Sequence, residues 1–163
     1  MRSKKTKAIK GFDRSYEMKK ADSAFSRYIR IRWSDKNGIC TCITCGRMKH
    51  WKEVDAGHYR RREHQATRFD ENNVHPQCRY CNFYRGGAEA EHREYIDKTY
   101  GDGTAYQIEQ KSLMRSKRTA FDMHMIRKEY EQKLKDLCEE RGIVLNEKTT
   151  KTKKKNESEE GES

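Results

Sequence analysis

Apolar residues recur at helical spacing in the N-terminal part of the chain. Between Asp13 and Trp33, steps of three and four residues join Ala21, Phe25, Tyr28, Ile29 and Trp33. Such a stripe predicts an amphipathic helix. The opposite face carries the basic residues Lys19, Lys20, Arg27 and Arg30. Because a small domain needs cover for its apolar side, we interpret the stripe as core rather than as a binding groove. The sequence Ser34-Asp-Lys-Asn-Gly38 then predicts a turn.

A second helical stripe lies near the C-terminal end. Thr119 is a good N-cap with Asp122 three residues on, and Gly142 is a stop signal. The stripe between them consists of Phe121, Ile126, Tyr130, Leu134 and Leu137. A helix of this kind could pack on the first helix, mediate dimerisation or lie beside DNA, and the pattern leaves all three open.

The segment between the two helices predicts short strands and further helices. Residues 39–60 are typical of a short hairpin, with a strand that ends near His58, and residues 61–72 of a polar loop. Val74 to Cys78 predicts a returning strand, followed by a helix that starts near Cys78 and stops at Gly86-Gly87. Helices are expected over 88–100 and 104–115. The fold class is therefore α+β.

Composition and charge limit the class of protein. Only 33% of the residues are hydrophobic and 39% are charged, so the core is small and needs a staple such as a metal. The net charge of +11 favours a polyanionic partner, for which nucleic acid is the usual candidate. No apolar run approaches the roughly 20 residues of a membrane-spanning helix, and no apolar signal segment opens the sequence. We therefore expect a cytoplasmic protein.

Two Cys-x-x-Cys pairs, Cys42 with Cys45 and Cys78 with Cys81, predict a metal site. In a reducing compartment this spacing favours zinc over disulfides. Four thiolates form a closed coordination shell, so the zinc is expected to be structural and the chemistry to come from elsewhere. Cys40 competes with Cys42 for the first pair. Cys138 is expected to be a core residue.

The residues between and beside these pairs suit phosphodiester hydrolysis. Such a reaction needs a base to activate water and a cation to neutralise charge on the phosphate. His58 suits the first role, because its pKa lies near neutral pH. Asp55 and Asn82 offer the hard oxygen atoms that Mg²⁺ prefers, and Asn73 and His75 lie close by. Each also has an ordinary structural reading, as a strand hydrogen bond, a helix cap or a turn. His92 is expected to lie on a helix without a partner at the motif.

These residues carry a resemblance to a known family. Gly57-His58 followed by Asn73-x-x-x-x-Cys78-x-x-Cys81-Asn82 resembles the HNH motif of ββα-metal (His-Me finger) nucleases. The segments 55–60, 68–75 and 77–82, within a likeness from about 15 to 141, resemble the NinG (Rap) recombination proteins of lambdoid phages. The resemblance implies a small zinc-bound ββα-metal (HNH) core flanked by α-helices. It also implies a bacteriophage endonuclease that cuts branched recombination intermediates (Holliday junctions and D-loops), with Mg²⁺ or Mn²⁺ as catalytic cofactor.

The resemblance also implies individual roles. His58 is the general base, and Asn73 braces the loop that orients it. Asn82 is a ligand of the catalytic metal. Many HNH sites place an aspartate directly before the base, where this chain has Gly57. Asp55 is the expected substitute, with His75 as an alternative ligand.

Arginines crowd the same segment. Their guanidinium forks pair well with phosphate oxygens, so a DNA track beside the site is expected. A run of arginines is also compatible with a solvated loop. The candidates are Arg60, Arg61, Arg62, Arg68, Arg79 and Arg85.

The predicted organisation has five parts. They are a flexible basic arm over 1–13, an N-terminal helix region over 14–37, a zinc-stapled HNH-like core over 38–90, a helical region over 91–142 and a disordered charged tail over 143–163. The basic arm could lie along phosphates or be a solvated tail. A two-fold DNA junction would suit a homodimer. The alternative functions are a non-catalytic zinc-ribbon adaptor that binds nucleic acid, and a zinc scaffold for protein–protein contacts.

Overall fold

The computed structural model of this chain describes residues 13–145, so most of the predicted arm and tail lie outside the described residues. Four α-helices and four short strands are present in this part. The helices are α1 (Arg14–Arg32), α2 (Glu89–Tyr100), α3 (Thr104–Ser112) and α4 (Ala120–Arg141). The strands are β1 (Ile39–Thr41), β2 (Met48–His50), β3 (Val54–His58) and β4 (Val74–Cys78). The α+β class predicted from the sequence is confirmed.

Local capping explains where α1 begins and ends. The Asp13 side chain accepts a hydrogen bond from the Tyr16 amide at 2.7 Å, which satisfies a donor that the first helical turn leaves free. After the helix, the Asp35 carboxylate accepts from the Asn37 and Ile39 amides, both at 2.8 Å. Gly38 then adopts a φ of 76°, a conformation that favours glycine. The turn predicted over 34–38 is therefore present.

The α4 helix packs against α1, which is the first of the three possibilities that its sequence pattern left open. Thr119 and Asp122 form the expected capping box. In the core, the rings of Phe25 and Tyr130 meet edge to face with centroids 4.7 Å apart. Phe121 does not belong to this contact surface: it is 58% exposed, so its predicted place in the stripe is wrong. Met123 is fully buried instead.

The strands form two antiparallel hairpins. β1 pairs with β2, and β3 pairs with β4 in a register that sets Asp55 opposite Gln77 and His58 opposite Val74. A backbone hydrogen bond of 3.1 Å from the Ile43 amide to the Pro76 carbonyl joins the two hairpins. This connection brings the segment that contains the first cysteine pair against the strand that leads into the second.

The helix expected after Cys78 is shorter than predicted. It is a single π-helical turn over Tyr80–Tyr84, and Gly86 and Gly87 follow with positive φ as anticipated. α2 and α3 match their expected ranges, although α3 ends at Ser112. Arg30, predicted on the exposed face of α1, is partly buried and donates to the carbonyls of Trp51 and Val54. Within residues 13–145, no helix combines the length and the apolar character needed to cross a membrane.

Candidate metal centre and active site

The two Cys-x-x-Cys pairs come together at one point. The Sγ atoms of Cys42, Cys45, Cys78 and Cys81 all lie within 4.8 Å of one another. The Sγ atoms of Cys45 and Cys78 are 3.7 Å apart. Four sulfurs at about 2.3 Å from a tetrahedral zinc ion have edges of about 3.8 Å. The spacing and the soft donor set therefore fit a structural metal such as zinc.

The thiols also have the electrostatics of a metal site. Burial raises the pKa of Cys42, but the backbone amides of Cys78, Cys45 and Thr44 outweigh it and lower that pKa to about 7. Burial and the neighbouring thiols raise the pKa of Cys81 to about 12. Four thiolates this close repel one another, and a divalent cation among them removes that cost.

The remaining cysteines lie outside this centre. The Cys40 thiol is buried and donates to the Arg30 carbonyl at 3.0 Å. Burial raises its pKa to about 11, so it remains a neutral thiol. Cys138 packs in the same apolar cluster as Cys40. Neither joins the four-sulfur group, so the competition between Cys40 and Cys42 is decided in favour of Cys42.

Asp55 and Asn82 meet directly beside the cysteine centre. The Asn82 Nδ2 atom donates to Asp55 Oδ2 at 3.0 Å. β3 supplies Asp55, and the π-helical turn that contains Cys81 supplies Asn82. Both side chains are partly exposed. The pair offers two hard oxygen donors at a solvent-facing position, and a cation that takes both would replace their mutual hydrogen bond.

The Asn73 side chain forms hydrogen bonds with the segment that follows His58. It is fully buried, and its Oδ1 atom accepts from the Arg60 amide at 2.7 Å. Its Nδ2 atom donates to the carbonyls of Arg60 and Thr67, at 2.9 and 3.0 Å. One amide therefore holds both polar groups of the residue two positions after His58. Asn73 therefore ties the segment after His58 to the start of β4.

The His58 ring lies on the face of the hairpin that α1 covers. Side chains alternate along a strand, so His58 shares a face with Ala56, whereas Asp55 and Gly57 point to the other face. The His58 ring lies 6.3 Å from that of Phe25, and its Nε2 atom donates to the Arg68 carbonyl at 3.0 Å. The structure therefore brings Asp55 and Asn82 together and separates the His58 side chain from them by the thickness of the hairpin.

The environment of His58 keeps its imidazole neutral. Burial is the main cause of a pKa lowered to about 4, which the Arg68 carbonyl partly opposes. Because Nε2 carries the proton, the lone pair of the neutral ring is on Nδ1. Arg68 is itself fixed by Asp22 of α1, which accepts from its guanidinium at 2.8 and 2.5 Å. No sequence pattern predicts Asp22 as a supporting residue, since a lone aspartate on a helix face is usually solvated.

A cleft of about 200 Å³ opens at the end of β3. His58 contributes to its wall, together with Arg60, Arg61, His64 and the Gly86-Gly87 turn. The wall also includes Glu63 and Glu89, and Glu89 pairs with Arg60 at 3.4 Å, so among the described residues Arg61 is the cation of this cleft that is free to meet an anionic group. The cleft connects the end of β3 with the Gly86-Gly87 turn that follows Asn82.

Gly57 leaves the space that Gln77 fills. A Cβ atom at residue 57 would lie 2.0 Å from Gln77 Oε1. The Gln77 amide is fully buried and donates to Thr44 Oγ1 at 2.8 Å and to the Gly87 carbonyl at 2.7 Å. Gln77 Oε1 has no hydrogen-bond partner among the described residues. The position where HNH sites carry an aspartate is therefore closed to a side chain here.

His75, the alternative metal ligand, is enclosed in a buried cluster. Its Nδ1 atom lies 2.9 Å from His92 Nε2, and its Nε2 atom lies 3.1 Å from the Tyr100 hydroxyl. Both histidines are fully buried, and burial lowers the pKa of each to about 3. The expectation that His92 has no partner at the motif is wrong. Its spacing of four residues from Ala88 and Ile96, both buried, was the available signal.

The six arginines differ in their ion pairs and in their exposure. Arg68 and Arg85 are paired with Asp22 and Glu91, respectively. Arg60 is partly buried, with Nε donating to Ser112 Oγ at 3.3 Å. The exposed members, which remain accessible to a phosphate, are Arg61, Arg62, Arg79 and the partly paired Arg85.

The fold and site define a small, basic α+β protein built around four clustered cysteines that fit a structural metal, with the Asp55–Asn82 pair beside them. The chain belongs to the NinG family: the family model described as Bacteriophage Lambda NinG protein matches residues 1–140. The chain is 36% identical to Protein ninG of Salmonella phage P22 over 129 residues, which is 78% of this chain and 61% of that protein. It is also 36% identical to Protein ninG of Escherichia phage lambda over 125 residues, 76% of this chain and 58% of the relative.

The chain thus spans about three fifths of the length of these relatives. No solved structure matches it.

Proposed function

We propose that this chain is a metal-dependent endonuclease of the HNH type that cuts branched DNA recombination intermediates. The observation that carries the proposal is the 3.0 Å contact of Asp55 with Asn82, directly beside the cysteine centre. Two residues 27 positions apart in sequence supply one carboxylate and one amide at the place where the motif requires metal ligands. The hydrogen bond from the Arg60 amide to Asn73 Oδ1, which holds the loop after His58, supports the same assignment.

In this proposal the four cysteines hold a structural zinc ion and take no part in the chemistry, because their coordination shell is closed. Asp55 and Asn82 bind Mg²⁺ or Mn²⁺. When bound, the ion neutralises charge on the scissile phosphate and on the departing 3′ oxygen. His58 Nδ1 accepts a proton from the attacking water, and the Arg68 carbonyl holds the ring in the required tautomer. The products carry 5′-phosphate and 3′-hydroxyl ends.

The two faces of the hairpin impose a condition on substrate binding. Because Asp55 and His58 point to opposite sides of β3, the scissile phosphate has to lie beside the end of β3 that carries His58 to reach both. We place the phosphate at the mouth of the cleft at the end of β3, whose wall includes His58 and the exposed Arg61.

The test is cleavage of a labelled four-way junction by zinc-loaded protein, with and without Mg²⁺. We expect His58→Ala to lower the cleavage rate by about 100-fold or more, because a positioned base contributes that much. Asn82→Ala is expected to raise the Mg²⁺ concentration needed for half-maximal cleavage. His50→Ala, a change on β2, is the matched control and should cut as wild type does. Equal cleavage by wild type and His58→Ala would overturn the assigned role.

A second candidate is a non-catalytic zinc module that binds nucleic acid. The observation in its favour is the placement of the His58 ring against Phe25, on the other face of the hairpin from Asp55. This function needs the cysteine centre and the exposed arginines but not His58. Binding of junction DNA at nanomolar to micromolar concentration, with no cleavage in Mg²⁺ or Mn²⁺, would favour it.

A further inference from the structure

Three aromatic side chains stand exposed on the turn that carries Cys81 and Asn82. Tyr80, Phe83 and Tyr84 are 58%, 64% and 73% exposed. Cys81 of the same turn is buried at the cysteine centre, whereas these three side chains face solvent. Single exposed aromatic residues are ordinary, but three within five consecutive residues form a contiguous apolar patch, and such patches mark binding surfaces. We call these three residues the aromatic patch.

The rings of the aromatic patch already stack on one another. Tyr80 and Tyr84 are nearly parallel, with an interplanar angle of 28° and centroids 6.2 Å apart. Phe83 meets Tyr84 edge to face at 5.2 Å. The turn is anchored on its inner side by Cys81, which is fully buried. A rigid platform loses little conformational entropy when a planar ligand stacks on it.

Basic side chains border the patch. The Arg79 guanidinium lies over the Phe83 ring at 5.2 Å, and Arg79 is exposed. Its Nη1 atom is 3.9 Å from Asp55 Oδ2, so Arg79 bridges the patch and the Asp55–Asn82 pair. Arg85 lies on the other side of Tyr84 in sequence. Exposed aromatic rings interleaved with arginines are the arrangement that binds single-stranded nucleic acid, because bases stack on the rings while phosphates pair with the cations.

We propose that the aromatic patch is a stacking site for unpaired nucleobases at the branch point of a DNA substrate. The proposal rests on the proposed function and names the feature of the substrate that the site recognises. A fully paired duplex hides its base faces, whereas a fork or a D-loop presents them. Stacking at the patch places the neighbouring phosphates beside Arg79 and the Asp55–Asn82 pair. Selection for branched DNA then comes from this contact rather than from a sequence motif.

The experiment compares the binding of a forked DNA with single-stranded arms and of a fully paired duplex of the same sequence. Binding is followed by fluorescence anisotropy, and 2-aminopurine at the branch reports stacking through quenching of its emission. The proteins are wild type, Tyr80→Ala/Phe83→Ala/Tyr84→Ala, and Tyr106→Ala, which removes an aromatic residue of similar exposure on α3. Zinc content and thermal unfolding establish that each variant is folded, and single alanine variants replace the triple variant if it is not.

We expect the triple variant to lose at least tenfold in affinity for the fork and less than threefold for the duplex. We also expect it to abolish quenching, whereas Tyr106→Ala behaves as wild type. Unchanged fork binding overturns the inference, and so does an equal loss for fork and duplex. A shift from dimer to monomer in ultracentrifugation, with fork affinity per protomer unchanged, assigns the patch to a second copy instead.

Failure of the inference is distinct from failure of the proposed function. A wild-type protein that cuts junctions while the patch variants bind and cut equally well overturns the inference alone. A wild-type protein that binds no DNA overturns both.

Discussion

At the scale of single residues, the alternation of side chains along β3 decides what His58 and Asp55 can contact. His58 lies between Phe25 and the Arg68 carbonyl, whereas Asp55 meets Asn82. Gly57 precedes His58 and lies on the same face as Asp55. The Gln77 amide occupies the space that a side chain at residue 57 would need. The absence of an aspartate before the histidine is therefore coupled to the presence of Gln77.

This coupling predicts that Gly57→Ala destabilises the fold. The new Cβ atom would lie 2.0 Å from Gln77 Oε1, and the Gln77 amide is held by two hydrogen bonds, so it cannot move freely. We expect a loss of about 1–3 kcal/mol in the free energy of unfolding, measured by urea denaturation. A double-mutant cycle with Gln77→Ala should give a coupling energy of about 1 kcal/mol or more. Additive effects of the two changes would contradict the explanation.

At the scale of elements, Glu71 joins the loop before β4 to both long helices. Its carboxylate accepts from Arg32 of α1, and from Tyr130 and Lys133 of α4 at 3.1 and 3.0 Å. Hydrogen bonds to charged groups are stronger than those between neutral groups. The loop that contains Asn73 is therefore tied to the helical pair through one carboxylate.

Glu71→Gln is expected to lower the free energy of unfolding by about 1–3 kcal/mol, because it removes a charge shared by several donors. Glu129→Gln is the matched control: Glu129 pairs with the same Lys133 at 2.7 Å but is more exposed. An exposed pair of that kind contributes about 0.5 kcal/mol or less. Equal losses from the two changes, in thermal or urea unfolding, would show that Glu71 has no special role.

Two buried histidines couple β4 to α2 and make the stability depend on pH. His75 and His92 have folded-state pKa values of about 3, well below the unfolded value near 6.5. Below pH 6.5 the unfolded chain binds protons that the folded chain does not. Stability is therefore fully present above pH 6.5 and decreases as the pH falls towards 3.

His92→Gln is expected to weaken this dependence. When the pH is lowered from 7.5 to 5.5, the free energy of unfolding should fall by about 1.4 kcal/mol more in wild type than in the variant. This difference is the contribution of one histidine that is protonated in the unfolded chain and neutral in the folded chain. Urea unfolding at each pH, with zinc content monitored, is the measurement. Parallel pH profiles for the two proteins would contradict the assignment of His92.

At the scale of the whole molecule, the four-cysteine centre joins the two hairpins. Cys42 and Cys45 follow β1, Cys78 ends β4, and Cys81 lies on the π-helical turn. Within the described residues, the apolar core consists of several small clusters, and no single cluster packs against both hairpins along their whole length. A metal held by the four sulfurs would compensate for this small core, as the composition predicts.

Loss of the metal should therefore unfold the central region. Cys81→Ser is expected to lower bound zinc from about one ion per chain to near zero and to lower the unfolding temperature by about 10 °C or more. Cys138→Ala, a change in the α1–α4 core, is the control that should keep its zinc. Metal analysis and thermal unfolding check both variants. Full zinc occupancy in Cys81→Ser would contradict the proposed ligand set.

The sequence alone determined those features that depend on local chemistry. Helical periodicity and capping located α1 and α4, because both signals lie within a few residues. The two Cys-x-x-Cys pairs identified the metal centre, since each pair needs only one tight turn. The sequence also offered Asp55 and Asn82 as oxygen donors, but their direct contact is a finding of the structure.

Only the tertiary structure decided how distant segments face one another. The His58 ring lies against α1, His92 contacts His75, and Gln77 fills the space at Gly57. Each of these contacts joins segments whose separation along the chain carries no periodic signal. They depend on strand register and on which face each helix covers, and these are set by packing of the whole core rather than by any local stretch.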